Sequence, residues 1–136
     1  MAQNGAGPSN RQYLKREAAQ ARAYSQAVVT AGGRTVWLAG QTAAMDGAGK
    51  PLADNFDGQV REVFSRLGHT LSELGGGLAD MVTMTVFITD ARYGDRFVQL
   101  PREILRDNFP ASALITVAAL ARPELLVEVQ GVAVIA

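Results

Sequence analysis

The chain has no cysteine. Disulfides, thiolate nucleophiles and cysteine-held metals are therefore all excluded. It has one histidine, His69. At ~100° per residue, His69 lies about 180° from the apolar stripe of the helix that contains it, and it is expected to face solvent. Schemes that need a histidine base or ligand lose their only candidate. No apolar run approaches the ~18 residues of a membrane span. No charged-then-apolar leader precedes a cleavage site, so a cytoplasmic location is expected. Charge of one sign is also lacking, with 13 Lys and Arg against 13 Asp and Glu. Charge alone thus recruits neither nucleic acid nor a membrane. Residues 1–22 lean basic through Arg11, Lys15, Arg16 and Arg22 against Glu17, too sparsely for a nucleic-acid arm, and read as a solvated leader. There is no G-x-S-x-G elbow. Gly75-Gly76-Gly77 follows a helical pattern and precedes no Lys-Ser/Thr pair, so it reads as a helix stop rather than a phosphate loop. Metals, redox cofactors and nucleotides are without support, and no cofactor is expected.

What is present is an ordinary globule. At 136 residues, 48% hydrophobic and 19% charged, the chain is long enough for one domain around a single core. Residues 1–10 are small, polar and glycine-containing, and are expected to be disordered or loosely draped. Residues 11–23 have helix-forming composition and are expected to form a turn or two. Regular patterning starts at Tyr24. Residues 25–31 read as a strand, Gly32-Gly33 as a hairpin turn and residues 35–41 as the partner strand. Asn55 reads as the N-cap of a helix with Asp57 in its first turn. Val60, Val63, Phe64, Leu67, Leu71 and Leu74 fall on one helical stripe, ended by the glycines at 75–77. Residues 81–89 form a β-branched, apolar central strand. Residues 97–108 form a second helix containing Pro101 and ended by Phe109-Pro110. Residues 112–120 and 126–135 are two more strands. The order ββαβαββ describes an α+β domain, a mixed sheet with two helices on one face. Apolar neighbours such as Trp37-Leu38 and Phe87-Ile88 point to opposite faces, so the uncovered face is apolar too. Oligomerisation through that face is expected.

Few residues remain for chemistry. Glu128 lies in the nearly all-apolar segment Leu125–Ala136, on a strand face shared with Leu126, Gln130, Val132 and Val134. A carboxylate there is costly to bury unless it is paired or used. Tyr24 stands at the entry to the first strand, and reads equally as a rim aromatic. Ala39-Gly40-Gln41 closes the second strand, where glycine permits close backbone approach or marks a bulge. Ser112 opens the fourth strand, where serine is also a common starter. Glu128 reads otherwise as a structural acid paired across a subunit boundary.

Taken in order, "AYSQAVVTAGGRTVWLAGQ", "VFITD" and "FPASALITVAALARPELLVEVQGVAVIA" resemble the RidA (YjgF) family from about Tyr24 to the last residue. The resemblance divides the chain into an N-terminal extension at 1–22, partly disordered, and a RidA-like domain at 23–136. It implies a chorismate-mutase-like fold and a barrel-like homotrimer with small-molecule clefts between subunits. Active relatives hydrolyse reactive 2-imino or 2-enamino acids to keto acids and ammonia, without metal or organic cofactor. On this resemblance Glu128 matches the acid that polarises the attacking water, Tyr24 an aromatic of the cleft wall, and Ala39-Gly40 the backbone that approaches the substrate. The family pattern P-A-R-S/T carries an arginine that grips the substrate carboxylate with its planar fork. Here "PASAL" places Ser112 at that position, and Ala39 stands where a serine is often found. A charge-assisted bond contributes ~1.5–3 kcal/mol and a stranded buried carboxylate costs ~2–5 kcal/mol. At ~1.4 kcal/mol per decade, a 2-imino acid loses one to more than three decades of fitness. Arg22 and Arg122 are the candidate replacement charges. The expectations are therefore a hydrolase or deaminase for an imine, enamine or related C=N metabolite, or a non-catalytic trimer that binds a metabolite or protein. The endoribonuclease label carried by relatives fits poorly with the neutral charge.

Overall fold

The computed structural model describes the backbone of Gln3–Gly5 and all of residues 10–136. The rest of the leader expected to be disordered lies outside the described residues. The elements are β1 (Gln3–Gly5), β2 (Arg11–Lys15), α1 (Glu17–Ala21), β3 (Ala27–Thr30), β4 (Arg34–Gln41), α2 (Phe56–Glu73), β5 (Met81–Ile88), α3 (Gly94–Leu105), β6 (Ala111–Thr116) and β7 (Val127–Ile135). From β3 onward the order is the expected ββαβαββ. The strands form two sheets, β1-β2-β3 and β4-β7-β5-β6. In the larger sheet β7 runs antiparallel to β4 and β5, while β5 and β6 are parallel. The sheet is therefore mixed, as expected.

α2 begins where its sequence supplies a cap. The Asn55 side chain accepts from the Gly58 N–H at 2.9 Å, satisfying one of the orphan donors of the first turn. Val60, Val63, Phe64, Leu67 and Leu71 are all buried. Leu74 departs from the expected stripe. It is the C-cap residue and 42% exposed, because Gly75, at φ +86°, turns the chain away there. The stripe packs with Phe97 and Leu100 of α3 onto Met84, Val86, Ile88, Val127 and Val129 of the sheet. Both helices thus cover one face. The other face carries Trp37, 80% exposed, but also Thr83, Thr85 and Gln130, so it is less uniformly apolar than expected.

Two expectations are corrected in the first 41 residues. Residues 11–23 are helical only over Glu17–Ala21, and Arg11–Lys15 is a strand. Its burial alternates along the chain, with Arg11 and Tyr13 inside, which is strand periodicity. Arg11 donates to the Ala79 carbonyl at 2.9 Å and the Val134 carbonyl at 2.6 Å. Those bonds make its burial tolerable, and residues 11–15 are part of the fold rather than a solvated leader. Second, β3 and β4 are not hairpin partners. β3 pairs with β2, placing Tyr13 opposite Val28, whereas β4 pairs with β7. Gly32 and Gly33, at φ +68° and +77°, turn the chain from one sheet into the other. The division at residue 22 separates β2 from its partner β3. β6 ends at Thr116, short of the expected 120, and α3 starts at Gly94 rather than 97. No helix among the described residues is long and apolar enough to cross a membrane.

Candidate functional site

The central strands position Glu128. Along β7 the odd residues Val127, Val129, Gly131, Ala133 and Ile135 face the core, while Glu128, Gln130 and Val132 point the other way. Glu128 pairs with Phe87 of β5 and is half-buried. On its other side the register of β4 shifts between Leu38 and Gln41, so Ala39-Gly40 forms an irregularity of the bulge type. The Glu128 carboxylate lies directly against Gly40. A Cβ at residue 40 would overlap the Oε2 atom. Glycine here makes room for the acid, which is the close approach its position suggested. None of the ion pairs among the described residues engages Glu128. A half-buried carboxylate without a cation keeps its oxygens available to accept from water.

A second group assembles elsewhere. The Ser25 N–H donates to the Pro110 carbonyl at 3.2 Å, and Ser25 bridges Ala111 in parallel register. That contact brings Tyr24 beside Ser112. Ser112 pairs with Met84, a core residue, and therefore faces the helices. Tyr24, Ser112 and Arg22 line a cleft of ≈ 210 Å³ whose apolar wall includes Met84, Phe97 and Pro101. Ala23, between Arg22 and Tyr24, is buried and adopts φ +60°. This conformation is uncommon for alanine and turns the chain sharply into the cleft. Phe97 and Pro101 were legible as helix residues but carried no sign that they line a cleft.

Ala39 adjoins Gly40 in the bulge and borders a shallow depression of ≈ 450 Å³ on the open sheet face, beside Trp37, Thr85 and Gln130. The five predicted site residues are thus divided between two places within one chain. Gly40 touches Glu128 with Ala39 next to it, and Tyr24 and Ser112 line the second cleft. Glu128 lies three residues along β7 from Gly131, the partner of Met84, which is about 10 Å of strand. It also points to the opposite face from Ser112. Of the candidate replacement charges, Arg22 reaches the Ser112 cleft, and Arg122 is engaged with Glu124 at 2.6 Å. His69 is exposed, as expected, and pairs with Glu73 at 3.0 Å. No cluster of three or more Asp, Glu or His side chains that could hold a metal is found among the described residues.

The comparisons with known proteins bear on this arrangement. Residues 15–135 match the family described as Endoribonuclease L-PSP. The chain belongs to the RidA (YjgF) family. It is similar to the human 2-iminobutanoate/2-iminopropanoate deaminase, 26% identical over 111 residues that span 82% of this chain and 79% of that protein. Its fold is similar to the Rid-family protein YyfB of Yersinia pestis, with a TM-score of 0.80, 26% identity and coverage of 93% and 99% of the two chains. It is also similar to Rv2704 of Mycobacterium tuberculosis, with a TM-score of 0.66, 27% identity and coverage of 92% and 99%. Membership of the RidA family accounts for the mixed sheet with both helices on one face.

Proposed function

We propose that this protein is a small-molecule hydrolase of the RidA type, acting on an imine, enamine or related C=N metabolite by water attack assisted by Glu128. The observation that carries the reading is the Glu128 carboxylate, seated against Gly40 and without a cation partner among the described residues. In the proposed reaction Glu128 accepts a proton from water as the oxygen bonds to the C=N carbon. Glu128 returns that proton to the nitrogen of the tetrahedral adduct, and the hydroxyl proton follows as the C–N bond breaks, which leaves a carbonyl and ammonia or an amine and restores the carboxylate. One water is consumed for each C=N bond broken, and no redox partner or metal is required. The deaminase relatives at 26% identity support this reaction class. Ser112, in place of the arginine fork, argues against an ordinary 2-imino acid held over β6. Its hydroxyl suits a neutral carbonyl or amide there.

The reading also proposes a homotrimer with clefts between subunits. Gly40–Glu128 and Tyr24–Ser112 do not meet within one chain, so the complete cleft takes one pair from each of two copies. The exposed Trp37 supports burial of that sheet face. Ser112 favours a second reading, a trimer that binds a metabolite or protein in the same cleft without turnover.

The test is an assay on imines generated in situ by an amino-acid oxidase, with carbonyl capture by semicarbazide. Wild type is compared with Glu128→Gln and Ser112→Arg. Turnover by wild type on a C=N substrate, lost in Glu128→Gln with folding unchanged, is expected. A Glu128→Gln variant that keeps the full rate would refute the role of the acid. Inactivity of all three across C=N substrates, with retained ligand binding, would favour the binding protein.

A further inference from the structure

We infer that Arg22 reads a ligand anion in the Tyr24–Ser112 cleft, and that the cleft takes a small carboxylate with an apolar body. The binding claim stands on the cleft itself. It rests on the proposed reaction only for the identity of the group that is hydrolysed.

Tyr24 and Ser112, which carry hydroxyls, and Arg22, a cation, line one cleft with an apolar wall that includes Met84, Phe97 and Pro101. A planar guanidinium and two hydroxyls in one cleft suit the acceptor pattern of a carboxylate, and the apolar wall suits an alkyl or aryl body.

The environment of Arg22 combines a fixed stem with a loose head. Arg102 donates to the carbonyls of Gln20 and Ala21 at 3.2 and 2.7 Å. The Gln20 side chain donates to the Tyr24 carbonyl at 3.0 Å, and Ala23 is 3% exposed. The backbone on both sides of Arg22 is therefore tied down. Among the described residues the guanidinium itself is held only by Asp95, at 3.1 Å, with side chains 50% and 92% exposed. An exposed pair of this kind contributes little. A carboxylate entering the cleft can replace Asp95 at small cost. Its charged end then lies at the α1 side of the cleft rather than over β6, where an arginine at residue 112 would hold it. Ser112 in this chain thus goes with a shifted grip on the ligand rather than with loss of anion recognition.

The test is direct binding to the purified full chain, read by titration calorimetry, with 2-oxobutanoate, longer 2-oxo acids and 2-oxobutanamide as unreactive probes. The acids are expected to bind, and the amide to bind at least tenfold more weakly. Arg22→Gln is expected to weaken acid binding about ten- to hundredfold, the size of a lost charge-assisted hydrogen bond. Arg22→Lys recovers part of it. Asp95→Asn removes the competitor and tightens binding by up to about fivefold. Each added methylene tightens binding about fourfold until the cleft is full. Both substituted side chains, Arg22 and Asp95, are at least half exposed, so folding is preserved. Equal affinity for acid and amide would overturn the inference, as would failure of the acids to bind. An acid affinity indifferent to both Arg22→Gln and Asp95→Asn would do the same. Because the readout is binding, Arg22-dependent affinity in a protein that hydrolyses no imine would refute the proposed reaction and keep this inference. Glu128-dependent turnover with no Arg22-dependent affinity would do the reverse.

Discussion

The Glu128–Gly40 pair and the Tyr24–Ser112 cleft are built in opposite ways. The first sits on adjacent strands β7 and β4, its position set by ladder register and by the absence of a single Cβ. The second joins a tight turn, the edge strand β6 and the wall of α3, and its one charged residue is held by an exposed ion pair. A group that must place a water molecule benefits from rigid strands, since small displacements lose rate. A group that selects a ligand can lie at an edge and change without disturbing the core. On this account reaction and specificity occupy separate parts of the chain, and Ser112 alters the second while leaving the first intact.

Glu128→Gln separates the two groups most strongly. It conserves shape and is expected to lower turnover by about two to four orders of magnitude, the range of a lost general base, with little change in Tm by calorimetry. Gly40→Val comes next. Its side chain must displace the Glu128 carboxylate, so turnover is expected to fall about a hundredfold, while circular dichroism shows the α2 core intact. Outright unfolding would mean that Gly40 serves the backbone and not the acid. Ser112→Arg probes the other part. It is expected to raise activity on 2-imino acids about tenfold, the low end of one charge-assisted bond. No gain on any 2-imino acid would show that residue 112 does not face the ligand.

The smallest expected effect concerns the frame. Arg96 on α3 donates to both carboxylate oxygens of Asp57 on α2, its Nε at 3.0 Å from each. These bonds hold the Asp57 carboxyl below its usual value. The stabilisation is therefore complete above the unfolded pKa of about 3.9 and is lost as pH falls through the lowered folded value. Both side chains are about 40% exposed, so Asp57→Asn is expected to cost under about 1 kcal/mol near pH 7. Its stability deficit, followed by denaturant titration, should shrink below pH 4. A deficit that grows there would contradict the linkage.

Much of this was legible in the residues. Alternation along β7 was enough to put Glu128 and Gln130 on one face, and the i, i+3, i+4 spacing from Val60 to Leu71 marked the buried side of α2. The pairing of β3 was not legible. Gly32-Gly33 carries the signature of a hairpin turn, but the choice of partner depends on Arg11 and Tyr13, which bury against β7 and β3 from far away in sequence. Composition favoured helix over 11–15, and tertiary burial prevailed. At the site, residue types identified Tyr24, Gly40, Ser112 and Glu128 as candidates. They did not tell that Ser112 shares the core-facing side of Met84 while Glu128 faces away, because that depends on the register of three strands. Arg22 could be named from the sequence, but its entry into the cleft requires the turn at Ala23, where alanine gives no signal of positive φ.

The proposed cleft takes Glu128 from one copy and the Tyr24–Ser112 wall from another. The most direct measurement is complementation between Glu128→Gln, which lacks the acid, and Ser112→Phe, which fills the cleft. Each is expected to be inactive alone. After the two are unfolded and refolded together in equal amounts, about a quarter of wild-type activity is expected, the fraction of interfaces that receive both intact parts in randomly mixed symmetric trimers. A mixture as inactive as its components, with mixed assemblies confirmed by mass spectrometry, would show that no such shared cleft exists.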